Sequence, residues 1–238
     1  MGNKRNSLQT LSKEQIDVIM KKIPKNTKKI VLTGGEIFLE KDLLLYTIER
    51  IQDLRRNIEI ELESNGIYFY KKNTLERLKE LNDKISAIRF SDDPFHEDGG
   101  IDLEKVRKLK EYQPELKYKI KYLVQNKAVK IGNAKNLSED LVKKSNCMNT
   151  KQTLLNPYFF LDIKGNIYLC AWKLLEPIGN IFFDEMDEII SKLNISFNRK
   201  ILEGKIEEAF SLDNEKKKQY EAYTKKFGQC MLCEKLYK

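Results

Sequence analysis

The sequence has 238 residues and a mass of 28.0 kDa, enough for one sizeable core or for a domain with a smaller appendage. With 41% hydrophobic and 34% charged residues, no stretch approaches the roughly 20 apolar residues that cross a bilayer, and the polar opening lacks a signal-peptide core, so a membrane span is excluded and a cytoplasmic protein is expected. The formal charge of +8 comes from 36 Lys and 8 Arg interleaved with acids, as in LERLKELNDK; that is a solvated helix face rather than a nucleic-acid footprint, although it would attract an acidic peptide or small anion.

Residues 12–23 carry Ser12 as an N-cap and Ile16, Ile19, Met20 and Ile23 at helical spacing, which predicts an amphipathic helix. Residues 28–35 then read as a buried strand and 40–55 as a second helix. The alternation continues with strand 57–66, helix 71–83, strand 85–93, helix 102–113 and strand 117–125. Helices alternating with strands at this spacing imply parallel strands joined by right-handed crossovers, closed either as a doubly wound sheet or as a barrel. Either closure gathers functional residues at the strands' C-terminal ends. Here those ends carry Gly34, Gly35 and Glu36; Ser64, Asn65 and Gly66; and Ser91, Asp92 and Asp93, with His96 nearby. Adjacent glycines free the backbone dihedrals and let a ligand come close, and a carboxylate just beyond them suits an ammonium group. Ordinary turn chemistry is the plain alternative.

After residues 131–141 the character changes, and a boundary is expected near residue 145, giving domains 1–145 and 146–238. Residues 156–170 read as an antiparallel hairpin turning at Lys164 and Gly165, followed by a helix after Asp184 and a long charged helical stretch up to CMLC. Cys147, Cys170, Cys230 and Cys233 are the four cysteines. In a reducing compartment they favour metal or redox chemistry over disulfides, and four thiolates suffice for zinc or for a Cys₄ iron–sulfur cluster. Ligand type alone leaves zinc, iron–sulfur and unligated thiols open.

The segment IVLTGGEIFLEKDL resembles the second-strand segment of the radical S-adenosylmethionine (radical SAM) superfamily, in which Gly-Gly-Glu holds the amino group of the cofactor's methionine part. ESNGIYF is similar to its third-strand segment, IRFSDDPFHE to its fourth, and VKIGNAKNL to the segment leaving the barrel. FLDIKGNIYLCAWKLLEPIGNIFFDEMDEI resembles the twitch or SPASM extension, with Gly165 and Cys170 matching its Gly-x-x-x-x-Cys unit. The resemblance implies an α/β fold: a partial (β/α)₆ radical-SAM-type barrel missing its first strand, plus a small α+β cysteine-rich module. It implies S-adenosylmethionine near Gly34, Gly35 and Glu36, with Ser64, Asn65 and Ser91 facing its ribose or carboxylate and Ile131 and Gly132 approaching the adenine. Asp92, Asp93 and His96 would face substrate, a solvated loop being the alternative for the histidine. Cys147, Cys170, Cys230 and Cys233 would bind an auxiliary [4Fe-4S] cluster, with zinc as the alternative metal.

The departure from the family is that its Cys-x-x-x-Cys-x-x-Cys, which would precede the helix beginning near Ser12, does not occur in this sequence. A truncated product, a natural pseudoenzyme, or a second chain supplying the missing strand would each account for it; the start close to the first helix favours truncation, and the chain alone is expected to be inactive. The expected function is that of a radical SAM protein related to peptide-modifying enzymes, with a peptide or protein partner and neither nucleic acid nor membrane. The alternative is a metal-stapled, non-catalytic scaffold that binds a peptide or partner protein.

Overall fold

A computed structural model describes residues 10–54, 57–66, 74–92, 103–124, 128–129, 142–143, 158–170, 173–227 and 229–237. The chain divides into two compact units, Met1–Asn126 and Lys127–Lys238. In the second of these, Ala128–Val129 (β5) and Val142–Lys143 (β6) pair in parallel with each other.

In the first unit Ser12 opens α1 (Lys13–Lys22) as its position predicts. Its hydroxyl accepts the Gln15 N–H at 3.2 Å while the Gln15 side chain accepts the Ser12 N–H at 2.9 Å, a reciprocal capping box. There follow β1 (Lys29–Leu32), a 3₁₀ turn (Ile37–Glu40), α2 (Lys41–Asp53), β2 (Glu59–Ser64), α3 (Thr74–Lys79), β3 (Ala87–Asp92), α4 (Leu103–Tyr112) and β4 (Lys119–Val124). The strands form one parallel sheet in the order β1-β2-β3-β4. Each strand is therefore hydrogen-bonded to its neighbour in sequence, and the helices form the crossovers between them. Among the described residues this sheet has four strands.

Side chains alternate across the sheet. One face sends Ile60, Leu62, Ile88 and Phe90 into the core, which α2, α3 and α4 complete with Ile48, Ile51, Leu78 and Leu109. Each such buried side chain is worth about 1.5–3 kcal/mol. Tyr118, just before β4, donates its buried hydroxyl to the Leu78 carbonyl at 3.0 Å, tying that strand to the end of α3.

The opposite face is ionic. Glu61 of β2 has a side chain only 3% exposed, yet it meets Lys29 of β1 at 2.8 Å, Arg89 of β3 at 2.9 Å and Lys121 of β4. Arg89 also reaches Glu63 at 2.6 Å. One carboxylate thus connects to all three other strands.

In the second unit the expected hairpin is present as β7 (Phe160–Leu161) and β8 (Asn166–Tyr168), shorter than its apolar pattern suggests, and β9 (Gly179–Asn180) joins it as a third antiparallel strand. The turn is organised by Asp162, whose carboxylate accepts the Lys164 N–H at 2.9 Å, the Asn166 N–H at 3.0 Å and the Tyr168 hydroxyl at 3.2 Å. Gly165 is required twice over: its φ is +83°, and a Cβ there would lie 2.4 Å from the Phe182 ring. Helices α5 (Met186–Ser191), α6 (Ser196–Leu202), α7 (Ile206–Ala209), α8 (Asn214–Phe227) and α9 (Gln229–Tyr237) follow. Leu175, Ile201, Ile206, Leu232 and Cys233 form a buried cluster, flanked by Phe197 and Phe210 packed edge to face at 5.3 Å. No helix among the described residues is long and apolar enough to cross a membrane.

Candidate functional site

Parallel register brings the C-terminal ends of the sheet strands to one edge, with Leu32 opposite Leu62, Ser64 opposite Phe90, and Asp92 opposite Val124. Past β1, Gly34 and Gly35 occupy a loop in which a Cβ on either would meet nothing within 4 Å. Neither glycine has a left-handed φ. Of the two reasons for glycines expected from the sequence, unusual dihedrals therefore do not apply here, and space beside the backbone does.

Glu36 follows in extended backbone and caps the 3₁₀ turn, its Oε1 accepting the Phe38 N–H at 3.2 Å. The same carboxylate reaches the end of β2. The Ser64 hydroxyl lies 2.9 Å from both Oε1 and Oε2, and the Asn65 N–H donates to Oε2 at 3.0 Å. Ser64 is 3% exposed and accepts the Gly66 N–H at 2.9 Å, with Gly66 at φ +77°. A relay of donors therefore runs from the Gly66 N–H through the Ser64 hydroxyl to Glu36 across 28 residues of sequence.

The resemblance turns Ser64 and Asn65 toward a ribose or carboxylate of the cofactor; in the structure the Ser64 hydroxyl and the Asn65 N–H are directed to Glu36. Ser91 is half-buried near the end of β3, on the sheet face opposite to that of Ser64 and Phe90. Asp92 ends β3. Asp93, His96, Ile131, Gly132 and Cys147 lie outside the described residues. The link between Glu36 and Ser64 was missed by sequence reasoning. Its only signal was that both residues sit at strand exits, which says nothing of which side chain meets which.

For a cluster or metal, Cys170 is half-buried just after β8, and Cys230 and Cys233 are buried on α9. Three residues apart on a helix, the pair shares one face, which suits two ligands to one centre. Among the described residues no three His, Cys, Asp or Glu side chains converge as a metal site. The pair therefore fits a ligand set in part, while Cys233 also packs in the apolar cluster around Leu232.

No protein-family model matches the chain, and no curated protein sequence matches it significantly. The architecture itself is a mixed α/β fold with a parallel sheet, shared with several solved structures. The solved structures that it matches include BtrN in complex with AdoMet and 2-DOIA, with a TM-score of 0.58, 19% identity, and coverage of 85% of this chain and 79% of that one. They also include native anSMEcpe with bound AdoMet and Cp18Cys peptide, at a TM-score of 0.57 and 15% identity over 92% of this chain and 80% of that one. The structure of anSMEcpe with AdoMet alone matches at 0.54 and 15% identity, covering 94% and 81%. At these identities the likeness is one of fold.

Proposed function

We propose that this chain binds S-adenosylmethionine at the tips of β1 and β2, as a radical SAM protein related to the peptide-modifying members. Its second unit would be a twitch or SPASM-like module for an auxiliary [4Fe-4S] cluster. The observation that carries the reading is the carboxylate of Glu36, fixed by donors from two strand exits and placed directly after two glycines with open space at their Cβ positions. A held carboxylate favours an ammonium group, and bare glycine backbone leaves room for the rest of an amino-acid-type ligand. The solved neighbours carrying AdoMet support the choice of cofactor, and the neighbour carrying a peptide supports the choice of substrate class.

Gly34, Gly35 and Glu36 would hold the amino group, Asn65 and Ser91 would face the ribose or carboxylate, and Ile131 and Gly132 would approach the adenine. Cys147, Cys170, Cys230 and Cys233 would hold the auxiliary cluster, which when bound would anchor substrate or accept an electron. The four cysteines of these 238 residues do not include a Cys-x-x-x-Cys-x-x-Cys run, so no radical step is assigned to them. The function proposed for these residues is binding and orientation.

Isothermal calorimetry tests the cofactor site. Wild-type protein should bind S-adenosylmethionine, and Glu36→Gln should weaken binding by about 1.5–3 kcal/mol, roughly ten- to a hundredfold, through loss of a charge-assisted hydrogen bond. Equal affinity for both proteins would overturn the site. A second reading, a non-catalytic scaffold whose thiols are unligated, has one observation in its favour: Cys233 is packed among Leu175, Ile201, Ile206 and Leu232. Metal content separates the two.

A further inference from the structure

We infer that Ser64 is a positioning residue that fixes the orientation of the Glu36 carboxylate toward the amino group of an amino-acid-type ligand. This rests on the cofactor reading above and goes beyond it by giving Ser64 a role through Glu36 instead of a contact with the cofactor.

Glu36 follows two glycines, and a Cβ at either glycine would touch nothing within 4 Å. A glutamate has three rotatable side-chain bonds, and the loss of that freedom opposes any ligand that needs a single carboxylate orientation. The restraint comes from β2. Ser64 is the last residue of that strand, is paired opposite Phe90 of β3, and is 3% exposed, so its oxygen has a fixed place. That oxygen accepts the Gly66 N–H at 2.9 Å, which directs the hydroxyl's single proton away from Gly66 and toward Glu36.

The hydroxyl sits 2.9 Å from each carboxylate oxygen, and the two backbone donors divide between them, Phe38 N–H at 3.2 Å on Oε1 and Asn65 N–H at 3.0 Å on Oε2. A donor equidistant from both oxygens together with one backbone N–H on each determines the position and the plane of the group. Ser64 contributes a side chain where Phe38 and Asn65 contribute backbone N–H groups, so a substitution at Ser64 removes its donor while leaving those two in place. Gly66, at φ +77°, is what brings its own N–H back onto the serine.

The test is a double-mutant cycle read by calorimetry with S-adenosylmethionine, using wild type, Ser64→Ala, Glu36→Gln and the double variant, plus Ser64→Thr as the hydroxyl-retaining control. Ser64→Ala should weaken binding about five- to tenfold, Ser64→Thr by less than about twofold, and Ser64→Ala should add nothing in the Glu36→Gln background. Affinity for 5′-methylthioadenosine, which lacks the aminocarboxypropyl group, should be the same for wild type and Ser64→Ala. Should Ser64→Ala fail to fold by circular dichroism, Ser64→Cys, with similar shape and a weak donor, takes its place.

If Glu36→Gln leaves S-adenosylmethionine affinity unchanged, the cofactor site is wrong and the positioning role falls with it. If Glu36→Gln weakens binding while Ser64→Ala does not, or if Ser64→Ala costs as much without the Glu36 carboxylate as with it, the cofactor site stands and the positioning role is overturned.

Discussion

Replacing Glu61 with Gln probes the ionic face of the sheet with almost no change of volume, so the packing around Ile60 and Leu62 is left alone. The variant leaves Lys29, Arg89 and Lys121 gathered around a neutral amide. Removing one partner of a fully buried pair costs about 3–5 kcal/mol. Here the acid is 3% exposed while the cations are 27%, 30% and 42% exposed, so water screens part of their repulsion. We therefore expect a loss of roughly 2–3 kcal/mol, and at about 3–4 °C per kcal/mol a melting point lower by roughly 6–12 °C. Thermal unfolding followed by far-ultraviolet circular dichroism at neutral pH measures it. Lys117→Gln serves as control, since the Lys117–Asp83 pair is 63% and 70% exposed and its loss should cost less than about 0.5 kcal/mol. A pH series adds a signature. Burial pushes the Glu61 carboxyl up, but hydrogen bonds from Lys121 and Lys29, together with their charges, outweigh it and hold the group below its ordinary value of 4.5. A carboxyl lowered on folding contributes stability above its unfolded value and loses that contribution as pH falls through the folded one. The gap between wild type and Glu61→Gln should therefore be full near neutrality and close on acidification below 4.5. A variant that melts within about 2 °C of wild type, or a gap that persists in acid, would refute the account.

Two glycines should behave in opposite ways. Gly165→Ala should destabilise the second unit by roughly 2–4 kcal/mol, through the left-handed backbone and the collision with Phe182, seen as a lower thermal midpoint. Gly34→Ala, entering open space, should leave the midpoint unchanged while weakening S-adenosylmethionine binding severalfold in calorimetry. For the cysteines, anaerobic purification followed by iron, sulfide and zinc determination should give about four irons and four sulfides per chain for one cluster. Zinc alone would replace that assignment, and no metal would favour the metal-free scaffold.

What could be read from the sequence was local. Ser12 stands three residues before Gln15 at the start of an apolar period, and the capping box forms. The strand segments around IVL, IEIELE and IRF carry enough β-branched and aromatic character to mark themselves, and the helices between them dictate parallel pairing. Longer-range consequences stayed hidden. In EIELES, Glu61 looks like the solvent side of an alternating strand; its burial is produced by cations from three other strands, 28 to 60 residues away in the case of Arg89 and Lys121. Ser64 and Glu36 each stand out, but their meeting depends on the register of β1 against β2. Helices α6 and α7 were not foreseen because seven and four residues are too few to establish a period. The stretch ending at CMLC, read as one run, breaks into α8 and α9, so the cysteine pair lies within a helix.

The ionic face also guards strand alignment. Apolar alternation forbids a shift by one position, which would turn Ile88 and Phe90 outward, but it tolerates a slip of two, about 6.6 Å along the strand. Arg89 spans Glu61 and Glu63 at once, so a two-residue slip of β3 in either direction strips the guanidinium from one of the two carboxylates. With Lys29 and Lys121 bound to the same Glu61, misaligned sheets leave a carboxylate stranded away from water, and the interactions that add little net stability select which of several equally greasy pairings survives.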